Sequence, residues 1–158
     1  MLKIALVVVS ALVATSWGYS AGAPESVCDD MTPKHPVDPQ KPPLPYTIAV
    51  SKKEAKAGEV VEITIGGKPF KGFLLQVRNG DKAVGSFDIA DTDKYAKAIN
   101  CHGTAGSAAT HKNAVDKNNL VLKWKAPEGS GNYQIFVTVA EDGGTFWAAQ
   151  PSQKIKIN

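Results

Sequence analysis

The sequence predicts an all-β protein, an antiparallel β-sandwich of about eight strands that follows an extended, Pro-rich N-terminal arm. Three observations support this prediction. Apolar and polar residues alternate in short runs from Tyr46 onward, as they do in strands that bury one face. Glycine, asparagine and proline turn signals separate these runs. Before them, seven of the ten prolines lie between Ala23 and Pro45.

The alternation predicts which residues face the core. The predicted strands are residues 46–50, 61–65, 73–78, 84–89, 120–125, 133–139, 145–148 and 154–157. Their inward residues include Leu120, Leu122, Trp124, Tyr133, Ile135, Val137 and Val139. A buried Trp124 followed by Tyr133 is typical of immunoglobulin-like sandwiches, and a closed barrel is the alternative. Asn79-Gly80 predicts a hairpin, and only residues 93–100 are predicted to be helical.

The first 18 residues are predicted to be a secretory signal peptide. Lys3 supplies a positive start, an apolar run covers residues 4–13, and Ser16 and Gly18 are small residues at the positions that signal peptidase reads. The run is shorter than the ~20 apolar residues of a membrane-spanning helix. We therefore expect secretion without a transmembrane anchor and cleavage after Gly18, with Ser20 and Ala21 as alternative sites.

Secretion determines how the two cysteines, Cys28 and Cys101, are interpreted. Outside the cell they are expected to form one disulfide, worth about 4 kcal/mol in the chain-entropy model. A redox-active pair would need a Cys-x-x-Cys spacing, which the sequence lacks. Cys28 lies in the arm, residues 19–45, whose prolines favour an extended, polyproline-like chain without a core of its own. The disulfide should fasten this arm to the sandwich, residues 46–158.

Composition and motifs exclude several function classes. A net charge of +3, from 18 basic and 15 acidic residues, is too even for a nucleic-acid binder. The sequence lacks the nucleophile elbow, the zinc-protease motif and the phosphate loop, so we predict no enzyme activity, catalytic residue or cofactor.

Metal binding is not predicted either. His102 and His111 could contribute to a zinc site, but no third ligand follows at a readable spacing, and His111 is interpreted as a structural residue near the disulfide. The acidic residues Asp88, Asp91 and Asp93 lack the glycine and glutamate of a calcium loop. We interpret Asp91, Thr92 or Asp93 as the N-cap of the predicted helix.

Short motifs along the chain resemble those of one family. They are Gly22-Ala-Pro-Glu-Ser-Val-Cys28, Met31-Thr-Pro33, Asp38-Pro-Gln40, Pro43, Pro45-Tyr46, Phe70-Lys-Gly-Phe-Leu-Leu-Gln76, Cys101, Thr110-His111, Leu122-Lys-Trp-Lys-Ala-Pro127 and Phe146-Trp147. Together they are similar to the secreted reeler-domain proteins of the insect defence type, which include Noduler. The resemblance spans about residues 19–158. It implies an immunoglobulin-like sandwich, secretion into haemolymph and antibacterial innate immunity, with binding of microbial surfaces and nodule formation by haemocytes, and it supplies no catalytic residues.

The candidate binding residues are four lysines and two aromatic residues. Lys123, Lys125, Lys154 and Lys156 lie on strand faces away from the predicted core, and Lys52, Lys53 and Lys56 form a further cluster. Such a face attracts the phosphates of lipopolysaccharide or lipoteichoic acid. Phe136 points away from the core, and adjacent Phe146 and Trp147 cannot both be buried in one core. An outward Phe136 or Trp147 could stack on a sugar, as in β-glucan, unless a loop or the arm covers it. The alternative for the lysines is a solvated face that prevents aggregation.

Two other functions stay open at this point. An extracellular adhesion or matrix module would bind host proteins, and a carrier would hold a small apolar ligand between the sheets. Membrane lysis is disfavoured because the chain lacks a basic amphipathic helix. Bridging microbes to one another or to a haemocyte surface needs more than one binding site per particle, and the sequence leaves the oligomeric state open.

Overall fold

The alternating residues form strands in the computed structural model, which describes residues 19–158. The predicted signal peptide, residues 1–18, lies outside the described residues. A short 3-10 helix at Glu25–Val27 precedes the strands. In chain order these are β1 Thr47–Val50, β2 Glu54–Ala55, β3 Val60–Gly66, β4 Gly72–Asn79, β5 Lys82–Ala83, β6 Ser86–Asp88, β7 Ala96–Cys101, β8 Thr104–His111, β9 Leu120–Lys125, β10 Gly131–Asp142 and β11 Thr145–Ile157.

The strands form two sheets. The four-stranded sheet has the order β1-β3-β9-β6, and the seven-stranded sheet has the order β2-β11-β10-β4-β8-β7 with β5 paired to β4. All pairs are antiparallel except β2 with β11. Apolar residues from both sheets pack between them in one cluster. This arrangement confirms the predicted all-β sandwich.

The core is centred on Trp124, which is 0% exposed. Its indole Nε1 donates a hydrogen bond to the carbonyl of Val84 at 3.0 Å, and its ring meets the Tyr133 ring edge-on at 6.3 Å. Gly85 lies against the indole with φ 70°, and a Cβ there would approach Nε1 to 2.5 Å, so this turn needs glycine. Leu122, Tyr133 and the alternate residues of β10 are buried as predicted.

The predicted helix at 93–100 is wrong, because Ala96–Cys101 forms β7. The Asp93 carboxylate accepts hydrogen bonds from the backbone N–H groups of Tyr95 and Ala96, both at 2.8 Å, so the capping residue is real but the segment it caps is a strand. Pairing with β8 overrides the helical propensity of the Ala-Lys-Ala segment. The sequence analysis missed β8 itself, since its small residues do not alternate clearly.

Two strand boundaries also differ from the prediction. The Asn79-Gly80 hairpin is present, but its second arm is only β5, after which the chain crosses to the other sheet as β6. The two predicted C-terminal strands are one strand, β11, whose pairing with β10 has register shifts near Phe136. These irregularities let a long strand containing Pro151 stay in the sheet.

We predict that Trp124→Ala lowers the free energy of unfolding by about 3–5 kcal/mol, because it leaves a cavity in the core. Val121→Ala, on the same strand but at a side chain that is 50% exposed, should change it by less than about 0.5 kcal/mol. Chemical denaturation of the two variants measures both values. Equal losses of unfolding free energy in the two variants would contradict a core centred on Trp124.

Candidate functional site

The arm lies across the outer face of the seven-stranded sheet. Cys28 and Cys101 form the predicted disulfide, with their Cα atoms 5.5 Å apart. The sequence predicted an arm without a core, but its apolar residues share one with the sheet. This second cluster contains Val27, Cys28, Met31, Leu74, Ala83, Cys101 and Ala108. As a result β4 is buried on both faces.

Polar side chains of β4 bind the arm backbone beneath the disulfide. The Arg78 guanidinium donates to the carbonyls of Cys28 at 2.7 Å and Asp29 at 3.0 Å. Gln76 donates to the same Cys28 carbonyl at 3.0 Å and accepts a bond from Arg78 Nε at 2.7 Å. Burial lowers the pKa of Arg78, an effect that nearby Asp29 and Asp81 oppose. The arm therefore satisfies a charge that the sheet could not bury alone.

Two histidines fasten the arm near opposite ends of β8. His102 Nε2 contacts the Asp29 carboxylate at 2.9 Å, and its Nδ1 accepts the backbone N–H of Ala83 at 2.9 Å. His111 Nδ1 accepts the N–H of Phe73 at 3.1 Å, and Nε2 bonds to the Tyr19 carbonyl at 2.6 Å. His111 is structural, as expected, but it lies at the end of β8 remote from Cys101. The structure thus does not bring His102 and His111 together as metal ligands.

The predicted lysines lie on two surfaces. Lys123 and Lys125 are on the outer face of the four-stranded sheet, where Lys123 stands between Glu62 and Asp88 of the neighbouring strands. Lys154 and Lys156 are on the outer face of the seven-stranded sheet, because Ile155 and Ile157 between and beside them point into the core. The structure therefore does not combine the four lysines into one site.

The more cationic of the two surfaces is the edge formed by β2 and β11. Lys53, Lys154 and Lys156, which we call the basic edge, are all exposed, and the Lys156 N–H donates to the Lys53 carbonyl at 2.8 Å. On the neighbouring strand, neutral Gln134 and Asn132 stand opposite Lys154 and Lys156. On its other side Lys156 has Glu54 of β2 opposite it, with the ammonium and the carboxylate 4.0 Å apart. Among the described residues, Lys52 nearby is paired with Glu59 at 3.3 Å.

Neither aromatic candidate forms an open platform. The prediction that Trp147 faces outward is wrong, because it is 8% exposed and packs edge-on against Tyr46 in the main core. Its neighbour Phe146 takes the opposite face, as the alternation rule requires, and the arm covers it through His35, with ring centroids 5.2 Å apart. Phe136 does point away from the core, but it is half-buried beside the second cluster with Arg78 5.1 Å from its ring.

A cavity of about 290 Å³ lies between the arm and the sheet. Val27, Met31 and Leu74 contribute apolar side chains to its lining, and His35, Lys71 and Asp142 are among its polar residues. Sequence reasoning missed this cavity, because it placed a potential ligand between the sheets. The residues that line it come from segments far apart in sequence, so no local pattern could show that they meet.

No helix among residues 19–158 is long and apolar enough to cross a membrane. Within the same residues, no group of three His, Cys, Asp or Glu side chains is placed to hold a metal ion.

Burial favours the neutral form of the His111 imidazole. Burial lowers its pKa, which the backbone hydrogen bonds with Phe73 and Tyr19 oppose, while the charges of Lys117 and Lys97 lower it further. Because Nδ1 accepts a hydrogen bond from the Phe73 N–H, a proton added to Nδ1 would point at that N–H group and break the hydrogen bond. Burial also lowers the pKa of His35, against the opposing effect of Asp142.

We predict that acid weakens the fold through His111. Its folded pKa lies below the ordinary value of 6.5, so the unfolded chain binds more protons below that pH. The contribution of neutral His111 to the free energy of unfolding is complete above about pH 6.5, and it is lost as the pH falls towards the folded pKa. Denaturation from pH 7.5 to 5 should show a smaller decline for His111→Asn, whose side-chain oxygen can replace Nδ1 as acceptor. An unchanged pH slope in that variant would contradict the prediction.

Comparison with known proteins identifies the family. Residues 26–158 match the family model of the Reeler domain. "Putative defense protein Hdd11" of Hyphantria cunea is 43% identical over 159 aligned residues, which cover 96% of each chain. "Putative defense protein 2" of Antheraea mylitta is 42% identical, covering 94% of this chain and 96% of its own. These relatives indicate a role in defence.

Two further similarities are narrower. The crystal structure of the human F-spondin reeler domain aligns with a TM-score of 0.59 at 18% identity, covering 77% of this chain and 94% of that one, which shows the shared sandwich fold. Human "Ferric-chelate reductase 1" is 34% identical over 84% of this chain but only 23% of its own length. The similarity therefore concerns a minor part of that protein, and the family and the defence relatives indicate a non-enzymatic module. With the family model matching most of its length and relatives above 40% identity along nearly all of it, the chain belongs to the Reeler domain family, as its motifs predicted.

Proposed function

We propose that the protein is a secreted defence protein that binds phosphate-bearing polymers of microbial surfaces, such as lipopolysaccharide and lipoteichoic acid, at the basic edge. The observation that carries this proposal is the group of three exposed lysines, Lys53, Lys154 and Lys156. On β10, neutral Gln134 and Asn132 stand opposite Lys154 and Lys156, and on β2 Glu54 stands opposite Lys156. The names of the defence relatives support the biological setting. The disulfide Cys28–Cys101 fits an oxidising compartment.

The geometry favours charged polymers over neutral glucan. Each lysine ammonium presents three donors, and exposed charges act on a phosphate within about 8 Å at physiological salt. The amide of exposed Asn132, opposite Lys156, is available to a sugar hydroxyl. A neutral β-glucan would depend on aromatic stacking, and Trp147 is buried while Phe136 is half-buried.

The surroundings of the lysines on the other sheet disfavour binding of the same polymers. Lys123 has Glu62 and Asp88 opposite it on its two neighbouring strands, which reduces the local positive potential. Lys125 stands between Val60 and Ser86, so it acts as a single charge. The chain therefore offers two lysine pairs with equal charge and unequal surroundings.

We predict that Lys154→Gln with Lys156→Gln weakens binding to immobilised lipopolysaccharide at least about tenfold at physiological salt, since each lysine near an anionic surface contributes about 1 kcal/mol. The matched control, Lys123→Gln with Lys125→Gln, removes the same total charge and should weaken binding by less than about twofold. Surface plasmon resonance at several salt concentrations measures both affinities. Equal losses of affinity in the two double variants would show that binding depends on the net charge of the protein and not on the basic edge.

Nodule formation needs bridging as well as binding. One basic edge per chain allows a monomer to coat bacteria, but aggregation requires a second site or a second chain. We expect protein that is monomeric by light scattering to leave a bacterial suspension dispersed, and protein that self-associates to agglutinate it. Turbidity measured beside light scattering tests this. Agglutination by a strict monomer would show that each chain carries a second site.

A further inference from the structure

The cavity beneath the arm has the shape and lining of a ligand site. Its walls are apolar where Val27 and Met31 of the arm face Leu74 of β4. It stays open because Ala140 of β10, which points away from the main core, and nearby Gly143 carry little or no side chain. At about 30 Å³ per non-hydrogen atom, its volume of about 290 Å³ holds roughly ten such atoms.

One buried polar atom of the lining lacks a hydrogen-bond partner among the described residues. This atom is Nδ1 of His35, whose ring is oriented by the edge-on contact with Phe146. Two other polar side chains of the lining are occupied, since both His111 nitrogens bond to backbone and the Thr138 hydroxyl donates to the Met31 carbonyl at 2.6 Å. A ligand with one hydrogen-bonding group would satisfy His35.

The charges around the cavity disfavour an anion. Lys71 is the lining cation, and it is already paired with Asp116 at 3.1 Å. Asp142, also in the lining, adds a negative charge. A carboxylate would therefore lose its hydration without gaining an unpaired cation as a partner. Removing a neutral polar group from water costs far less free energy.

We propose that this cavity binds a small uncharged amphiphile, with an apolar body of up to about ten non-hydrogen atoms and one hydroxyl, carbonyl or amide group that hydrogen-bonds to His35 Nδ1. Because the arm supplies one wall and His35, an occupied cavity holds the arm more firmly to the sheet. This binding is independent of the basic edge, which lies on the β2–β11 side of the sheet.

Met31 provides a direct probe of the cavity. The sequence has two methionines, Met1 in the predicted signal peptide and Met31 in the cavity wall. In the oxidised protein labelled with ¹³C-methyl methionine, titration with 1-octanol should shift the Met31 methyl resonance with a dissociation constant of about 0.1–1 mM. Octanoate should bind at least about tenfold more weakly. No shift with octanol at millimolar concentration, or tighter binding of octanoate, would overturn the proposal.

Three variants locate the site. Ala140→Leu fills the cavity and should abolish the octanol shift, while Ala105→Leu, an exposed position on β8, should leave it unchanged. His35→Phe keeps the apolar contact with Phe146 but removes Nδ1, and should weaken octanol binding about three- to tenfold. Methyl spectra without ligand show whether each variant keeps its fold. Unchanged octanol affinity in folded Ala140→Leu would place the ligand elsewhere and refute the assignment.

Discussion

The docking of the arm depends on the hydrogen bonds from the Arg78 guanidinium to the arm carbonyls of Cys28 and Asp29. Arg78 projects from a strand that is buried on both faces, where an unpaired charge would cost several kcal/mol. The arm carbonyls pair it, and the adjacent disulfide keeps them in place. The arm is therefore a third layer of the structure, and neither the arm nor the face beneath it is stable as it stands without the other.

That third layer determines which surfaces are available for function. It covers Phe146 and shields Phe136, so the aromatic residues that could have stacked on sugars are withdrawn from solvent. It leaves Lys154 and Lys156 open on the same sheet, where neutral amides are their neighbours on β10. It also fits the sheet imperfectly near Ala140, which creates the cavity. Recognition by charge and binding of a small ligand thus follow from one packing arrangement.

The sequence predicted what local patterns encode. Alternation identified Trp124, Tyr133 and Val137 as core residues, and the two cysteines predicted the disulfide that pins the arm. Local patterns could not show that outward residues such as Leu74 and Gln76 lie beneath a segment more than forty residues away. Helical propensity was misleading at Ala96–Cys101, where pairing with β8 decides the structure. The lysines were correctly placed facing outward, but sequence alone could not show that two sheets separate them.

Hydrogen exchange of the arm tests this account most directly. In the oxidised protein, the amides of Ala23, Met31 and Gln40 donate to Thr110, Val27 and Phe146, with lengths of 3.0, 2.8 and 2.7 Å. We predict slow exchange at these three amides, and a large acceleration when the disulfide is reduced while the β10 amides remain protected. Exchange of the three arm amides at the rate of an unstructured chain in the oxidised protein would contradict a docked third layer.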